Sequence, residues 1–358
     1  VLPVGDAGGA QTVVAALAVG LASAGVSSHV AGIIGDRAGH PWLERLAEAG
    51  VGVHVVRARA RRYADEVAQV GAIAGRIGAV VVHSHAYRAD YVTWRAHRGQ
   101  WAHAVTAHGF TGGGWRDRVY ESIGRWLMTR ADATIAVSHP LAALLRSAGV
   151  PAARLHVLPN VLGPVAAADR RAARAALGLS DTDRVVGFIG RLGREKGADQ
   201  LLAAVPQLPL GTRVVLVGDG PERGALEAQA ASRPPSQVTF AGTVTDAGRL
   251  VRAFDVICLP SRTEGTPMVL LEALAAGVPA VAFGVGGIPD VLAAAPEWLV
   301  PPGDTAALAR GLTAVLTAPE ASAVQARSLG SLRAARHNPA AWIAAHRRIY
   351  TTIAGLSV

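Results

Sequence analysis

Two glutamates, Glu264 and Glu272, stand in Ser261-Arg-Thr-Glu-Gly-Thr-Pro-Met-Val-Leu-Leu-Glu-Ala-Leu-Ala-Ala-Gly277, the segment whose residue types and spacing are best suited to chemistry. An apolar run ending at Leu259 reads as a strand. Thr266 can cap a helix, Pro267 suits its first position, and Gly277 before Val278 and Pro279 suits its stop. A helix is thus expected to start at the carboxyl end of a strand, where open α/β sheets bind ligands. The amides of Thr266, Met268 and Val269, with the helix dipole, favour an anion there. Glu264 falls in the loop, and Glu272 on the second turn, on the Met268 face. Their work would differ. The loop carboxylate can reach a substrate hydroxyl or stabilise a developing cation, whereas the helix carboxylate is placed to accept hydrogen bonds from a ribose diol. Two glutamates seven residues apart form a weak pattern alone, since either is commonly a surface charge. The Gly265-Thr-Pro267 insert sharpens it.

Such residues need strand ends to hold them, and the chain provides a set twice. Short Val- and Ile-rich runs alternate with longer Ala/Leu/Arg segments of helical period, the pattern of βαβ units around a parallel sheet. Strands are expected near 1–4, 29–34, 51–56, 80–83, 103–106, 134–137 and 156–158, and again near 185–189, 213–217, 237–240, 256–259, 280–282 and 298–300. Between the sets, Leu158-Pro-Asn-Val-Leu-Gly-Pro164 has the composition of a linker, followed by an Arg/Ala helix over 167–177. The expected organisation is α/β, with one Rossmann-like domain over 1–163 and a second over 164–338. A closing helix over 339–358 carries Trp342, Ile343, Ile349, Tyr350 and Ile353 at near-helical spacing and is expected to pack across the domains.

The totals bound the function. A chain of 358 residues suffices for two buried cores, and 51% hydrophobic with 17% charged residues excludes general disorder. The net charge of +9 is spread along the chain without a local motif, so nucleic acid is not an expected partner. The densest basic cluster, Arg57, Arg59, Arg61 and Arg62, reads first as a solvated face, and second as a peripheral site for an anionic membrane surface or an acidic acceptor. The single cysteine, Cys258, lies in an apolar run and reads as a buried strand residue; it permits no disulfide framework. No run of about 20 apolar residues and no signal sequence is found, so the expected compartment is the cytoplasm.

In the first half, His83 and His85 end one strand, and His103-Ala-Val-Thr-Ala-His-Gly-Phe110 ends the next with His108. Imidazoles raise the question of zinc. It is not expected, on the view that the i, i+2 spacing of His83 and His85 points the two rings apart. Asp181-Thr-Asp183 is a literal Asp-x-Asp, but it precedes a strand and so falls at the end of the sheet opposite the ligand crevice. Gly218-Asp-Gly220 with Gly224 is one residue too long for a dinucleotide fingerprint.

The segment from Glu264 to Glu272 resembles the E-x7-E motif of the family 4 glycosyltransferases, and the resemblance extends over most of the chain. Val186-Gly-Phe-Ile-Gly-Arg-Leu-Gly-Arg-Glu-Lys-Gly197 is similar to the family's strand, loop and helix carrying an Arg and a Lys for the donor diphosphate, which implies those roles for Arg191 and Lys196. Two fixed cations after a strand end can stabilise a leaving diphosphate where other transferases use a divalent ion. Asp6-Ala-Gly-Gly-Ala-Gln11 resembles the N-terminal glycine loop, placing Gly8 and Gly9 by a phosphate; a plain tight turn is the alternative. Val217-Gly-Asp-Gly-Pro221, Gly286-Gly-Ile-Pro-Asp290 and Pro302-Gly-Asp304 also match. In the family the counterpart of His108 lines the donor sugar, while His83 and His85 stay open between site and structure. The chain departs from the family at Asn160, which Val161 follows in place of the usual Gly. It also begins only a few residues before the glycine loop, so the first strand reads as shortened or the natural start lies upstream.

The resemblance implies a GT-B fold, two Rossmann-like domains with parallel sheets facing a central cleft, and a retaining, metal-independent transfer of a hexose from a nucleotide diphosphate sugar. No separate cofactor or metal is expected; UDP- and GDP-sugars are the usual donors. The acceptor, a saccharide, a lipid-linked sugar or a small natural product, is left open, with Thr111-Gly-Gly-Gly-Trp115 as a loop that would shape its site. An epimerase of the same architecture and a non-catalytic nucleotide-sugar binder are the alternatives.

Overall fold

Strands buried on both faces select continuous Val, Ile and Ala runs over alternating ones, and each expected run forms a strand. The computed structural model describes residues 1–5, 8–58, 62–110, 112, 115–162, 169–234, 236–244, 247–336 and 338–356, with the backbone alone at 115–117 and 336. Contacts divide the chain into two units, one of Val1–Phe110, Gly114–Val161 and His337–Val358, the other of Thr111–Gly113 and Leu162–Arg336. The expected boundary at Gly163 and the helix start at Ala167 lie outside the described residues.

The first unit contains β1 (Leu2–Pro3), β2 (His29–Ile33), β3 (Gly52–Val56), β4 (Val81–His85), β5 (Ala102–Ala107), β6 (Ala133–Ala136) and β7 (Leu155–Val157). Strands β1 to β3 pair in sequence order, as do β4 to β7, and every pair is parallel. The His85 amide donates to the Val1 carbonyl at 3.0 Å, which sets β1 beside β4 and makes their junction the point where the winding reverses. The intervening helices are α1 (Gly9–Ser23), α2 (Pro41–Glu48), α3 (Tyr63–Arg76), α4 (Tyr87–Ala96), α5 (Trp115–Arg130) and α6 (His139–Ser147). Ser138 caps α6 by accepting from the Leu141 amide, and Pro140 fits its first turn.

The second unit is one parallel sheet in the order β10 (Val238–Gly242), β9 (Thr212–Val217), β8 (Arg184–Ile189), β11 (Val256–Leu259), β12 (Ala280–Phe283), β13 (Leu299–Val300). Its helices are α7 (Arg170–Ala176), α8 (Ala198–Ala204), α9 (Arg223–Ala230), α10 (Met268–Ala275), α11 (Ile288–Val291), α12 (Thr305–Thr317) and α13 (Pro319–Arg336). Here the winding reverses between β8 and β11. Cys258, in β11, is fully buried, and burial pushes its thiol well above the ordinary range, so it is a packing residue. Arg174 of α7 is buried too, and its guanidinium meets Asp255 at 3.2 Å and the Ala253 carbonyl at 3.1 Å. Asp255 also accepts from the Val185 amide at 2.7 Å, so this network fastens α7 to the amino edge of the sheet.

The closing helix α14 (Pro339–Ile353) is capped by Asn338 and belongs to the first unit. Ile343 packs where any side chain on Gly20 of α1 would stand, and Ile349 joins Ala104, Ala133 and Ile135 in a shared core.

Candidate functional site

In the second unit the loops leaving β8 and β11 converge at the reversal point, where an open parallel sheet leaves a ligand crevice. After β8 the chain passes Arg191, makes a tight turn over Arg194–Lys196, and enters α8 through Gly197 in the left-handed region, with φ of 67°. A Cβ on Gly197 would lie 1.9 Å from the Pro260 carbonyl oxygen, so only glycine lets the two loops close on each other. Gln200 donates to that carbonyl at 3.1 Å. Arg262 then ties the loops further: its amide donates to the Glu195 carbonyl at 2.8 Å, and its guanidinium holds both oxygens of Asp199 at 2.8 and 2.6 Å. That fork holds the Asp199 carboxyl below its ordinary range.

This clamp brings Lys196 and Glu264 together, 68 residues apart in sequence. Lys196 Nζ lies 2.7 Å from Glu264 Oε1, which also accepts from the Ser261 hydroxyl at 2.8 Å. Glu264 is only 6% exposed and Lys196 30%. Both described bonds of the carboxylate fall on Oε1. A second turn holds this loop from the other side: the Gly287 amide donates to the Gly265 carbonyl at 2.6 Å, and a Cβ on Gly286 would lie 1.8 Å from the Glu264 carbonyl oxygen. Arg191 is 60% exposed and rests on Glu195 at 3.1 Å, an exposed i, i+4 pair that is cheap to break.

The helix after Glu264 begins one residue later than expected. Thr266 is not its cap: α10 starts at Met268, Pro267 takes the cap position with φ of −69° and ψ of 124°, and no side chain caps the end. Pro267 stays extended two residues after Gly265, whose carbonyl the Gly287 amide holds. The first amide turned into the helix is that of Leu270, to the Pro267 carbonyl, so the amides of Met268 and Val269 have no intrahelical acceptor. Thr266 is buried and its side chain does not cap the helix. Glu272 lies on α10 with its carboxylate against the backbone of Gly248. Burial raises its pKa to about 7, and no hydrogen bond to it is described.

In the first unit Gly8 precedes α1 in an extended conformation, φ −178°, with open space where a side chain would stand. No left-handed turn calls for this glycine. The α1 start has no side-chain cap and no acidic residue in its first turn, so its amide end is open to an anion. Gly9 is the first helical residue, while Asp6 and Ala7 of the loop lie outside the described residues.

The histidines correct one expectation. His83 and His85 do not point apart: their ring centroids are 4.3 Å from each other, because residues i and i+2 of a strand share a face. Even so, no group of three or more His, Cys, Asp or Glu side chains is placed to hold a metal ion among the described residues. Both His83 nitrogens are used inside the unit, at 2.6 Å from the Tyr350 hydroxyl and 2.7 Å from that of Thr106. His85 Nδ1 meets His108 Nε2 at 2.9 Å with the rings stacked. Burial lowers the pKa of His108 to about 4, so at neutral pH it is an uncharged hydrogen-bonding group. Asp183 of the Asp-x-Asp is occupied at the amino end of β8, 2.7 Å from Arg213 and accepting from the Ser180 amide at 2.8 Å.

Several site residues had no assigned role from sequence: Ser261, Arg262, Asp199 and Gln200 hold the loops, and Tyr350 holds His83. Ser261 is legible afterwards from its place three residues before Glu264. Tyr350 carries no such signal, since it reaches His83 from 267 residues away.

Comparison with known proteins bears on both units. Residues 8–161 match a family model described as "Glycosyl transferase 4-like domain" and residues 183–318 one described as "Glycosyl transferases group 1". A D-inositol 3-phosphate glycosyltransferase of Mycobacterium tuberculosis is 33% identical over 231 residues, covering 58% of this chain and 48% of the relative. The chain thus spans about half the length of the curated relatives it matches. Among solved structures, a sucrose-phosphate synthase from Thermosynechococcus elongatus superposes with a TM-score of 0.84 at 23% identity, covering 98% of this chain and 95% of the other. HepE of Anabaena, in complex with UDP-glucose, gives 0.82 at 22% identity, covering 99% and 98%. At these identities the structures establish a shared fold.

Proposed function

The chain belongs to the GT-B glycosyltransferases resembling family 4, and from that membership we propose that it is a retaining, metal-independent transferase moving a hexose from a nucleotide diphosphate sugar to an acceptor hydroxyl. The observation that carries this reading is the Lys196–Glu264 pair at the head of α10, with Arg191 exposed on the same loop. A diphosphate at the α10 start meets two guanidinium or ammonium charges and the open amides of Met268 and Val269. Those charges are fixed before the reaction, so they stabilise the departing diphosphate with little reorganisation. Cations of the chain thereby take the part a divalent ion has in other transferases.

Glu272, buried and without a described donor, suits two ribose hydroxyls. Glu264, held at Oε1 by Lys196 and Ser261, has Oε2 for a sugar hydroxyl. His108 is assigned to the sugar and Gly8 and Gly9 to the diphosphate on the family resemblance. In the proposed step the acceptor oxygen attacks the anomeric carbon on the face the diphosphate leaves. The bond from that carbon to the phosphate oxygen breaks, and the acceptor proton passes to the released phosphate. UDP-glucose bound to HepE makes a UDP-sugar the first donor to try. The acceptor is proposed as a saccharide, a lipid-linked sugar or a small molecule bearing a hydroxyl.

Thermal melting of the protein against UDP, GDP and NAD, each with and without EDTA, tests the reading, because a ligand that binds the folded state raises the melting temperature. A shift with one diphosphate that survives EDTA is expected. A shift with NAD alone, or one that EDTA abolishes, overturns it. Turnover of the donor to an epimer without acceptor would replace transfer by epimerisation, and the anomeric configuration of the product decides retention.

A further inference from the structure

Aromatic residues are scarce in this chain, with seven Trp, five Tyr and five Phe in 358 residues. Six of them, Tyr87, Tyr91, Trp94, Trp115, Tyr120 and Trp126, fall on the adjacent helices α4 and α5. They are not all spent on the core. Val119, Tyr120, Ile123 and Trp126 form one stripe along α5 and Tyr87 extends it onto α4, each between 42% and 49% exposed. Glu121, Gly124 and Met128, on the other side of α5, are buried, as is Leu127, which lies between Tyr120 and Ile123 around the helix. Tyr87 stacks on Tyr120 at 5.8 Å and Trp94 meets Trp126 edge-on at 5.2 Å, so the outward rings are held as a rigid platform.

Arginines frame that platform. Arg130 lies over the Trp126 ring at 5.2 Å, Arg95 over Trp94 at 5.9 Å, and Arg125 over Phe110 at 5.3 Å, with Arg98 and Arg118 exposed nearby in sequence. None of these five is in a described ion pair. The acids of α4 and α5 whose side chains are described, Asp90 and Glu121, are buried. The cluster noticed in the sequence is less suited: Arg57 donates to the Ala38 carbonyl, Arg62 pairs with Asp65, and Arg59 and Arg61 lie outside the described residues.

We propose that the α4–α5 face is a peripheral docking surface for an anionic lipid bilayer. Tyr and Trp favour the depth of the headgroups, Ile and Val enter the acyl boundary, and arginines stacked on the rings reach lipid phosphates while their stems lie on apolar surface. A second copy of the chain is a poor occupant, because self-association through one patch sets these arginines against their own counterparts. Tyr91, Arg95 and Arg98 also line the groove between α3 and α4, so the surface continues into a concave strip beside the platform. No described helix is long and apolar enough to cross a membrane, so the contact is one of lying on the surface. The proposal stands on this face alone and is independent of the donor assignment.

Flotation of the full chain with vesicles tests it, using phosphatidylcholine alone and phosphatidylcholine mixed equally with phosphatidylglycerol. Binding is expected to the mixed vesicles and not to the neutral ones, and to weaken with salt. The variant Y120S/I123S should lose at least about tenfold in partitioning, since it removes several buried methylene equivalents. R118Q/R130Q should lose about fivefold for each charge at a lipid surface. Unchanged melting temperature and nucleotide affinity show that the variants remain folded; if Y120S/I123S fails this check, R118Q/R130Q alone decides. Absence of binding to the mixed vesicles overturns the proposal, as does full retention in the folded variants. So does a concentration-dependent dimer, seen by sedimentation, that the same substitutions abolish.

Discussion

Lys196→Met removes an ammonium that has one task in the structure and a second in the proposed transfer, and the two can be separated. The first is structural, because Glu264 Oε1 is 2.7 Å from Nζ and its side chain is 6% exposed. Breaking a fully buried pair costs about 3–5 kcal/mol and an exposed one at most about 1. Lys196 is 30% exposed, and the Ser261 bond to Oε1 survives the substitution, so a loss of about 1–2 kcal/mol lies between those limits. In a unit of this size that lowers the melting temperature by about 2–8 °C. The second task is chemical: losing a fixed charge at the departing diphosphate should cut kcat by about 10²–10³. Isothermal titration supplies the discriminating readout, since affinity for a nucleoside diphosphate should fall while affinity for the nucleoside stays. The double variant K196M/E264Q removes the stranded carboxylate and should recover the melting temperature without recovering turnover. Full turnover in Lys196→Met, equal loss of diphosphate and nucleoside binding, or recovery of activity in the double variant would refute the diphosphate role.

Glu272 titrates at about 7 in the folded protein against an ordinary 4.5. The folded state therefore holds the proton more tightly between those values, and this contribution to stability, present in full below pH 4.5, is lost as pH rises through 7. Glu272→Gln should accordingly be more stable than the natural protein above pH 7, by up to about 3 kcal/mol, and equal to it below pH 4.5, as read by urea unfolding. The same substitution should weaken nucleotide binding and remove its rise with pH through 7; unchanged affinity would exclude the ribose role. Gly286→Ala meets a carbonyl oxygen at 1.8 Å from a φ of 55°, so it should displace Glu264 and lower turnover more than stability, checked by kinetics beside melting. His108→Ala should lower kcat while leaving UDP affinity unchanged, because the ring is assigned to the sugar; a proportional loss of UDP binding would move it to the nucleotide.

The strands were legible because helices cover both faces of each sheet and so leave uninterrupted apolar runs, such as Val256 to Leu259. The loop after β11 was legible as a turn between a strand end and a helix start from its apolar run, Gly-Thr-Pro insert and following helical period. Two local judgements failed for different reasons. The cap at Thr266 failed because Pro267 is extended and takes the cap position itself, in a loop whose Gly265 carbonyl is held by the distant Gly287 amide. The pointing of His83 and His85 was misjudged from the strand itself, whose period of two sets both rings on one face.

The sequence by itself determined the parallel α/β organisation, the family, and the identity of the charged residues, since these depend on composition, period and spacing along the chain. It could not determine that Lys196 and Glu264 are partners, that Glu272 is buried enough to hold a proton near pH 7, or that α4 and α5 turn their aromatic rings outward. Each of those depends on which distant segments pack together. Burial and pairing fix a carboxylate's proton affinity and a ring's exposure, and both are properties of the neighbours the fold supplies.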